Sequence, residues 1–400
     1  MLATKLNNAA AAFILSAALA FGAAFPALGA ETPYDINVII PLTGGGAFLG
    51  KAEQDSIRVA EKVINQQGGI HGHPVHLVFH DDQTSPQVAV QLVDGILPSH
   101  PAVILGSTLS GICNAMAPLV EAHGPVMYCF SPSIRTKPGG YVFTSQIDSH
   151  DQQRALLTYF RDKGWKRIAL ITTTDASGQD ADKNITALVK TPEFKGMTLV
   201  ANEHFGMGDV AVTAQITNMV AGHPQAIISW ATAAAGATVF RGLKQAGVDL
   251  PTAPSGSNMT VKQMEDYAAF LPKQVYFGSG LWAANGDERL DVPQSVRNEQ
   301  KLFFKSEIAA GLYPDAGTDL GWEPLRLIVD ALNKLPPGAN AQQLHKFLIS
   351  WTGHVGAGGI YNFKQTPQRG LNIDDAMVVR WDAAKKEWSV VSNLRGVPLK

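Results

Sequence analysis

Short apolar runs alternate with segments of helical periodicity along most of this 400-residue sequence. Residues 36–40, 102–105 and 126–130 are runs of this kind, rich in β-branched or aromatic residues and followed by turns. Such runs are typical of buried strands, and apolar residues spaced three and four apart indicate helices. Strands that alternate with helices form βαβ units, whose right-handed crossovers produce parallel sheets. The alternation therefore predicts an α/β fold.

The alternation occurs in two similar series, which meet near residues 147–151. Four hundred residues also exceed what one hydrophobic core usually spans. We therefore expect two Rossmann-like lobes, each with a parallel central sheet. The helical segments within residues 293–351 are expected to complete the first lobe, and the last short strands are expected to return to the second.

These assignments divide the chain into two discontinuous lobes. The N-terminal lobe is predicted to comprise residues 31–148 and 281–355, and the C-terminal lobe residues 149–280 and 356–400. The chain would then cross between the lobes three times, near residues 148, 280 and 355. A hinge formed by these three crossings is the expected route of motion between the lobes.

The first thirty residues form a separate segment. Lys5 is the only charged residue before Glu31, an alanine-rich apolar stretch covers residues 9–25, and small residues lead to Ala30. A charged start, a short apolar middle and a small-residue end are typical of a secretory signal peptide. A membrane anchor needs about twenty strongly apolar residues. We therefore predict residues 1–30 to be a signal peptide cleaved near Ala30, and no stable membrane insertion of the mature chain.

Composition and missing motifs exclude several classes of function. The formal net charge of −2 gives no basic surface for nucleic acid, so we expect no nucleic-acid partner. The sequence has no phosphate-binding loop, dinucleotide fingerprint, nucleophile elbow or zinc-binding His-Glu-x-x-His helix. We therefore expect no cofactor, no catalytic residue and no enzyme. An exported hydrolase is the α/β alternative that these absences disfavour most.

Four closely spaced histidines, His71, His73, His76 and His80, could be taken for a metal site. Only His76 and His80 would share a face of the predicted strand, because alternate strand residues point the same way. A zinc site also needs converging ligands, usually with a carboxylate or thiolate among them. We therefore predict solvated histidines and no metal.

Cys113 and Cys129 are the only two cysteines. Each falls at or near the end of a predicted strand in the same unit, and an exported protein can keep a disulfide. The sequence does not fix the distance between their Cα atoms, on which a disulfide depends. A disulfide and two free buried thiols therefore both remain open.

Hydroxyl-rich turns follow several predicted strands. The residues that we select from these turns are Ser110, Gly111, Ser131, Ser133, Ser177, Thr232 and Ser255. In an open parallel sheet such turns gather at the carboxyl ends of the strands, where ligands bind. Helix N-termini at the same edge favour an anionic group. Alternatively, these residues are only turn formers and helix caps. Their recurrence without a catalytic residue among them favours a binding site.

Three further motifs point to a family. They are Leu42-Thr-Gly after the first strand, Asn65-Gln-Gln-Gly-Gly-Ile-His-Gly72, and Asp81-Asp82. Together with the export signal and two α/β lobes, they resemble periplasmic substrate-binding proteins of the leucine/isoleucine/valine class. The resemblance implies the type I periplasmic-binding-protein fold, in which two lobes close over a small ligand like a Venus flytrap. It also implies delivery of the ligand to ABC-transporter permease subunits. We expect a periplasmic monomer.

The resemblance also implies roles for the hydroxyl-rich turns. In that family the ligand carboxylate is held by hydroxyl and backbone N–H groups of the first lobe, here Ser110 to Gly111 and Ser131 to Arg135. We expect Ser110, Ser131 or Ser133 to contact the anion. Arg135 either adds a bidentate contact to the same anion or is a solvated surface arginine.

Two positions depart from the family's amino-acid binders. Those proteins hold the ligand ammonium with a carboxylate and pack the ligand with a tyrosine, but Ser255 and Ser177 stand at these places here. Trp230 and Trp282, each just beyond a strand end, are expected either to form flat walls for a ligand or to pack in the core.

The departures bear on the ligand. Because a buried ammonium without a charged partner is unfavourable, the sequence favours a small carboxylate with an uncharged tail, aromatic or otherwise hydrophobic. One alternative is a branched-chain or other apolar amino acid. An alternative of another class is a ligand-sensing module of a receptor or of an amide-operon regulator.

Overall fold

A computed structural model describes residues 32–232 and 234–400. The predicted signal peptide, residues 1–30, and its cleavage near Ala30 lie outside the described residues. Within the described ranges, no helix is long and apolar enough to cross a membrane.

The first lobe is built on a five-stranded parallel sheet. Its elements, in chain order, are β1 (Tyr34–Ile40), α1 (Ala47–Gln66), β2 (Val75–Asp81), α2 (Pro86–Ile96), β3 (Val103–Gly106), α3 (Ser110–Val120), β4 (Val126–Cys129) and β5 (Val142–Thr144). The strand order is β2-β1-β3-β4-β5, and every neighbouring pair is parallel. Because β3 and β4 are neighbours, the turns that follow them lie side by side at one edge of the sheet.

Local sequence signals set the helix ends in this lobe. The Ser85 hydroxyl accepts a hydrogen bond from the Val88 amide, and Pro86 occupies the first helical position of α2. At the end of α1, Gly69 has a φ of +65° and its amide donates to the Ile64 carbonyl. A Cβ atom at Gly69 would lie 2.0 Å from the His73 carbonyl oxygen, so this turn requires glycine.

The second lobe also alternates strands with helices. Its elements are α4 (Ser149–Asp162), β6 (Arg167–Thr173), α5 (Ala176–Leu188), β7 (Thr198–Phe205), α6 (Thr213–Ala221), β8 (Ala226–Trp230), α7 (Ala235–Gln245), β9 (Thr252–Pro254), α8 (Val261–Asp266) and β10 (Tyr276–Gly280). Strands β7-β6-β8-β9 form a parallel sheet, and a single bridge from Thr252 to Val275 links β9 to the segment that leads into β10. The predicted α/β architecture is confirmed.

The remaining chain contributes to both lobes. Its elements are α9 (Gln294–Ala309), α10 (Ala316–Asn333), α11 (Ala341–Leu348), β11 (Thr352–Gly356), β12 (Gly359–Asn362), β13 (Ala376–Asp382) and β14 (Glu387–Val390). Helix α10 packs on α1, where the Ser56 hydroxyl donates to the Thr318 carbonyl over 2.7 Å. A Cβ atom at Gly321 would lie 2.6 Å from the Glu53 carbonyl, so the two helix backbones are close. Strand β13 pairs antiparallel with β10 and with β14.

Contacts with the first lobe continue beyond the expected third crossing. We expected the third crossing near residue 355, but β12 pairs with β11 beyond that point. The Tyr361 hydroxyl donates to the Ser145 carbonyl and to Glu323, and the buried Arg369 donates to the Ile134 and Gln146 carbonyls. Tyr361 and Arg369 thus contact the first lobe beyond the expected crossing.

Candidate ligand-binding cleft

A cavity of about 200 Å³ lies where the two lobes face each other. Eight of the ten predicted site residues line it, namely Ser110, Gly111, Ser131, Ser133, Ser177, Thr232, Ser255 and Trp282. Ser110, Ser131 and Ser133 come from the first lobe, whereas Ser177, Thr232 and Ser255 come from the second. The carboxyl ends of both parallel sheets thus supply the walls of one cavity, as the switch-point rule for α/β sheets predicts.

The N-terminus of α3 forms part of the first-lobe wall. Leu109 occupies the cap position, and no side chain caps this helix. The amides of Ile112 and Cys113 donate to the Leu109 carbonyl, so Ser110 and Gly111 precede the first hydrogen bonds of the helix. Amides at these positions have no partner within a helix, and the helix dipole makes them a favourable place for a negative charge.

The turn after β4 completes this wall. Ser131 and Ser133 are both buried, and the Ser133 hydroxyl lies 3.4 Å from that of Ser177 across the cleft. The Phe130 amide donates to the Ser107 carbonyl over 3.1 Å, which joins this turn to the turn after β3. The serine hydroxyls and the uncapped α3 amides therefore form one cluster of hydrogen-bond donors.

A disulfide joins the same two turns. Cys113 in the first turn of α3 bonds to Cys129 at the end of β4, with Cα atoms 6.3 Å apart. Of the two possibilities that the sequence left open, the structure therefore contains the disulfide. Both cysteines are completely buried below the cavity wall.

Arg135 does not line the cavity. Its guanidinium contacts Asp148 at 2.5 Å and Asp180 on α5 at 2.7 Å, so it connects the first lobe to the second. Burial acts to raise the pKa of Asp148, but the charges of Arg369 and Arg135 outweigh it and hold that pKa below its usual value. The expected contact of Arg135 with the ligand anion is corrected, because its charge is taken up by two carboxylates.

The two tryptophans have different positions. Trp282 lines the cavity with its side chain almost fully buried. Trp230 is equally buried but lies behind Ser177, where its Nε1–H group donates to the Ser177 hydroxyl over 3.3 Å. The prediction of a ligand wall at Trp230 is therefore corrected, since the indole supports a residue of the wall rather than forming it.

Sequence reasoning missed Asp175. Among the described residues that line the cavity, Asp175 is the only Asp, Glu, Lys, Arg or His. Its Oδ1 atom caps α5 by accepting from the Gly178 amide, and it also accepts from the Thr173 hydroxyl. An aspartate just before a helical pattern and just after a strand is a recognisable cap at the ligand edge of a sheet, and this signal could have identified it.

A second acidic residue lies under the first-lobe wall. Glu53 is completely buried and accepts a hydrogen bond from Thr108, which lines the cavity. Burial raises the pKa of Glu53 well above its usual value, because a carboxylate is poorly solvated there. Burial therefore shifts Glu53 towards its uncharged form.

The four histidines have separate partners. The rings of His71 and His73 contact the carbonyls of Leu332 and Thr32. His76 contacts Asp35, and His80 contacts Asn37. Across residues 32–232 and 234–400, no three His, Cys, Asp or Glu side chains are grouped as metal ligands.

Comparison with known proteins shows the family of this chain. A family model described as periplasmic binding protein matches residues 33–386. The chain is 25% identical over 217 residues to a Leu/Ile/Val-binding protein homolog of Brucella melitensis, a match that covers 53% of this chain and 58% of that protein.

Two solved structures share the fold. The isoleucine complex of the branched-chain amino acid transporter substrate-binding protein LivJ from Streptococcus pneumoniae has a TM-score of 0.73 at 19% identity, covering 90% of this chain and 99% of that one. The benzoate complex of an ABC-transporter solute-binding protein from R. palustris also has a TM-score of 0.73, at 16% identity, covering 92% of this chain and 97% of that one.

Proposed function

The chain belongs to the periplasmic binding protein family, and from that premise we propose that it binds a small aromatic or otherwise hydrophobic carboxylate between its lobes. The bound acid is passed to ABC-transporter permease subunits at the membrane. The observation that carries this proposal is the uncapped N-terminus of α3, which presents Ser110 and Gly111 to the cavity.

The described lining of the cavity offers an anion neutral hydrogen-bond donors rather than a cation. Among the described lining residues there is no lysine, arginine or histidine, so hydroxyl and amide donors must bind the carboxylate. Hydrogen bonds from neutral donors to a charged group contribute about 1.5–3 kcal/mol each, which is sufficient when several converge.

The size and the lining of the cavity favour a compact apolar tail. Leu49, Met259, Leu320 and Trp282 line it together with the polar residues. An apolar cavity of about 150 Å³ can hold benzene, so about 200 Å³ suits one ring with a carboxylate. The similar R. palustris structure contains benzoate, which supports this ligand class.

Asp175 supports a second candidate ligand, an apolar α-amino acid. The sequence provided no carboxylate for an ammonium, since Ser255 stands at the expected place. Asp175 supplies a carboxylate in the second-lobe wall, two residues before Ser177, whose hydroxyl lies 3.4 Å from that of Ser133. The similar S. pneumoniae structure contains isoleucine. Asp175 opposes an acid with no ammonium, because like charges repel, unless the two groups lie at opposite ends of the cavity.

Calorimetry with benzoate, benzamide, phenylacetate, leucine and isoleucine separates these candidates. We expect the two aromatic acids to bind wild-type protein and to raise its melting temperature, and benzamide to bind poorly because it lacks the charge. If leucine or isoleucine binds tightly and benzoate does not bind, the ligand is an apolar amino acid rather than an aromatic acid. Binding of none of these acids would overturn the proposed ligand class.

Asp175→Asn provides the matched test, since asparagine can still cap α5. Affinity for an aromatic acid should stay equal or increase when the negative charge is removed. Affinity for leucine should fall by about tenfold or more, because an ammonium would lose its charged partner.

The proposal also includes export and the absence of catalysis. We propose that residues 1–30 are removed near Ala30 on export to the periplasm, which N-terminal sequencing of the secreted protein tests. The ligand should be recovered unaltered after long incubation, as mass spectrometry can determine. Product in excess of the protein concentration would contradict the binding-only function.

A further inference from the structure

The Cys113–Cys129 disulfide connects the two turns that carry the hydrogen-bond donors proposed for the ligand carboxylate. Cys113 lies three residues after Ser110, and Cys129 lies two residues before Ser131. The bond joins positions only 16 residues apart in sequence, and both side chains are completely buried. It therefore lies directly behind the cavity wall rather than at the periphery of the lobe.

Few other interactions hold the two turns together. The β3–β4 ladder ends at the pair Leu105 and Tyr128, and one backbone hydrogen bond, from Phe130 to Ser107, continues beyond it. The Ser107 carbonyl oxygen also lies 3.1 Å from the Cys113 sulfur and 3.5 Å from the Cys129 sulfur. The disulfide thus packs against the backbone from which both turns diverge.

Because of this location, we propose that the Cys113–Cys129 disulfide positions the two turns of the ligand site relative to each other. The affinity of the site for a carboxylate then depends on whether the disulfide is oxidised or reduced. The inference rests on the proposed function of the cleft. A single carboxylate must be reached at once from the α3 amides and from Ser131 and Ser133. Without the disulfide, the relative position of the two turns is restrained less before binding and is fixed only when the ligand binds.

The redox step involves a dithiol reductant and two cysteine sulfurs. The dithiol supplies two electrons and two protons, the bond between the cysteine sulfurs breaks, two thiols form, and the dithiol becomes a cyclic disulfide. Because ligand binding and reduction share one thermodynamic cycle, a ligand that prefers the oxidised protein must oppose reduction by the same factor.

The test compares benzoate and leucine binding to the oxidised and the dithiothreitol-reduced wild-type protein. Fixing the backbone of one loop residue costs conformational entropy that corresponds to roughly a fivefold to thirtyfold change in an equilibrium constant. We therefore expect the dissociation constant of the ligand that binds to rise at least about fivefold on reduction. Saturating ligand should lower the equilibrium constant of reduction by the same factor. The double variant Cys113→Ala/Cys129→Ala should behave like the reduced protein, and the reduced wild type keeps the test valid if this variant does not fold.

Val93→Ala is the matched control. Val93 is completely buried in the same core cluster as both cysteines but does not line the cavity. It should lower the melting temperature without changing the dissociation constant. A reduced protein that likewise melts earlier but binds with unchanged affinity would show a purely stabilising disulfide and overturn the proposal.

Hydrogen exchange of the ligand-free protein gives an independent readout. Amides of residues 110–113, 131 and 133 should exchange faster after reduction but not in Val93→Ala, and unchanged exchange would contradict the proposal. If oxidised wild-type protein binds neither probe, the proposed function itself fails and the inference fails with it. If a probe binds equally well in both redox states, only the inference fails.

Discussion

Individual side chains of the cleft differ in what they can contribute. Ser110 and Ser133 are neutral donors at the uncapped end of α3 and in the turn after β4, whereas Arg135 is occupied by Asp148 and Asp180. A donor that contacts the ligand and a cation that holds the lobes together should respond differently to mutation. The predictions at this scale separate the two roles.

Ser110→Ala and Ser133→Ala should each weaken binding of an aromatic acid. Removing one hydrogen bond to a charged group costs roughly 1.5–3 kcal/mol, which is about a tenfold to hundredfold loss of affinity. Calorimetry measures the change directly. Ser350→Ala, at an exposed serine after α11, is the control and should have no effect. Unchanged affinity in both cleft variants would place the carboxylate elsewhere.

Arg135→Gln should weaken ligand binding no more than about fivefold. Its carboxylate partners are solvent-accessible in part, and exposed ion pairs typically contribute about 0–1 kcal/mol. Arg289→Gln is a suitable control, since Arg289 pairs with Asp287 in the same short segment. A hundredfold loss of affinity in Arg135→Gln would instead indicate that Arg135 contacts the ligand anion directly, a contact that the structure does not show.

At the scale of elements, the packing of α9 and α10 on α1 buries acidic side chains. Glu307 on α9 is fully buried and accepts a hydrogen bond from the Ser56 hydroxyl on α1. Burial raises the pKa of Glu307 to about 7, and the nearby Asp315 and Asp55 add to this effect. The interface is therefore most favourable when Glu307 is protonated.

This interface should make stability depend on pH. The pKa of Glu307 is higher in the folded than in the unfolded chain, so the folded state binds more protons between about pH 4.5 and 7. The contribution of protonated Glu307 to the free energy of unfolding is therefore lost as the pH rises through this window. Glu307→Gln should therefore raise the melting temperature relative to wild type more at pH 8 than at pH 5. The exposed Glu288→Gln should show no such difference. An equal shift at both pH values would contradict the raised pKa.

The position of the third crossing between the lobes follows from the contacts of whole elements. We propose that the third crossing lies at residues 371–376, since Tyr361 in β12 and Arg369 bond to first-lobe carbonyls and β13 pairs with β10. Residues 281–371 would then complete the N-terminal lobe together with residues 32–148.

At the scale of the whole molecule, several polar contacts join the lobes, including a hydrogen bond from the Val261 amide to Asp315. The Ser133–Ser177 contact and the Arg135–Asp180 ion pair cross the cleft. Contacts of this kind are weak individually and suit an equilibrium between open and closed arrangements that a ligand can shift.

Ligand binding should therefore reduce the radius of gyration. Small-angle scattering of wild-type protein, with and without a saturating ligand identified by calorimetry, measures this change. Asp180→Asn should increase the radius of the ligand-free protein by favouring the open arrangement, while saturating ligand should restore the closed value. An unchanged radius on saturation would contradict closure of the lobes.

The sequence by itself determined the local features of the protein. Periodicity and capping act over a few residues, so strand–helix alternation predicted the α/β lobes, and the turns after β3 and β4 identified Ser110, Gly111, Ser131 and Ser133 as cavity residues. These residues could be predicted because parallel strands place their following turns at one edge regardless of how distant elements pack.

Only the tertiary structure decided which distant groups meet. Arg135 and Asp180 are 45 residues apart, and Tyr361 and Ser145 are 216 apart. No periodic pattern records such pairs, because each depends on how whole elements pack. For the same reason the Cys113–Cys129 bond and the position of Trp230 behind Ser177 followed only from the packed lobes.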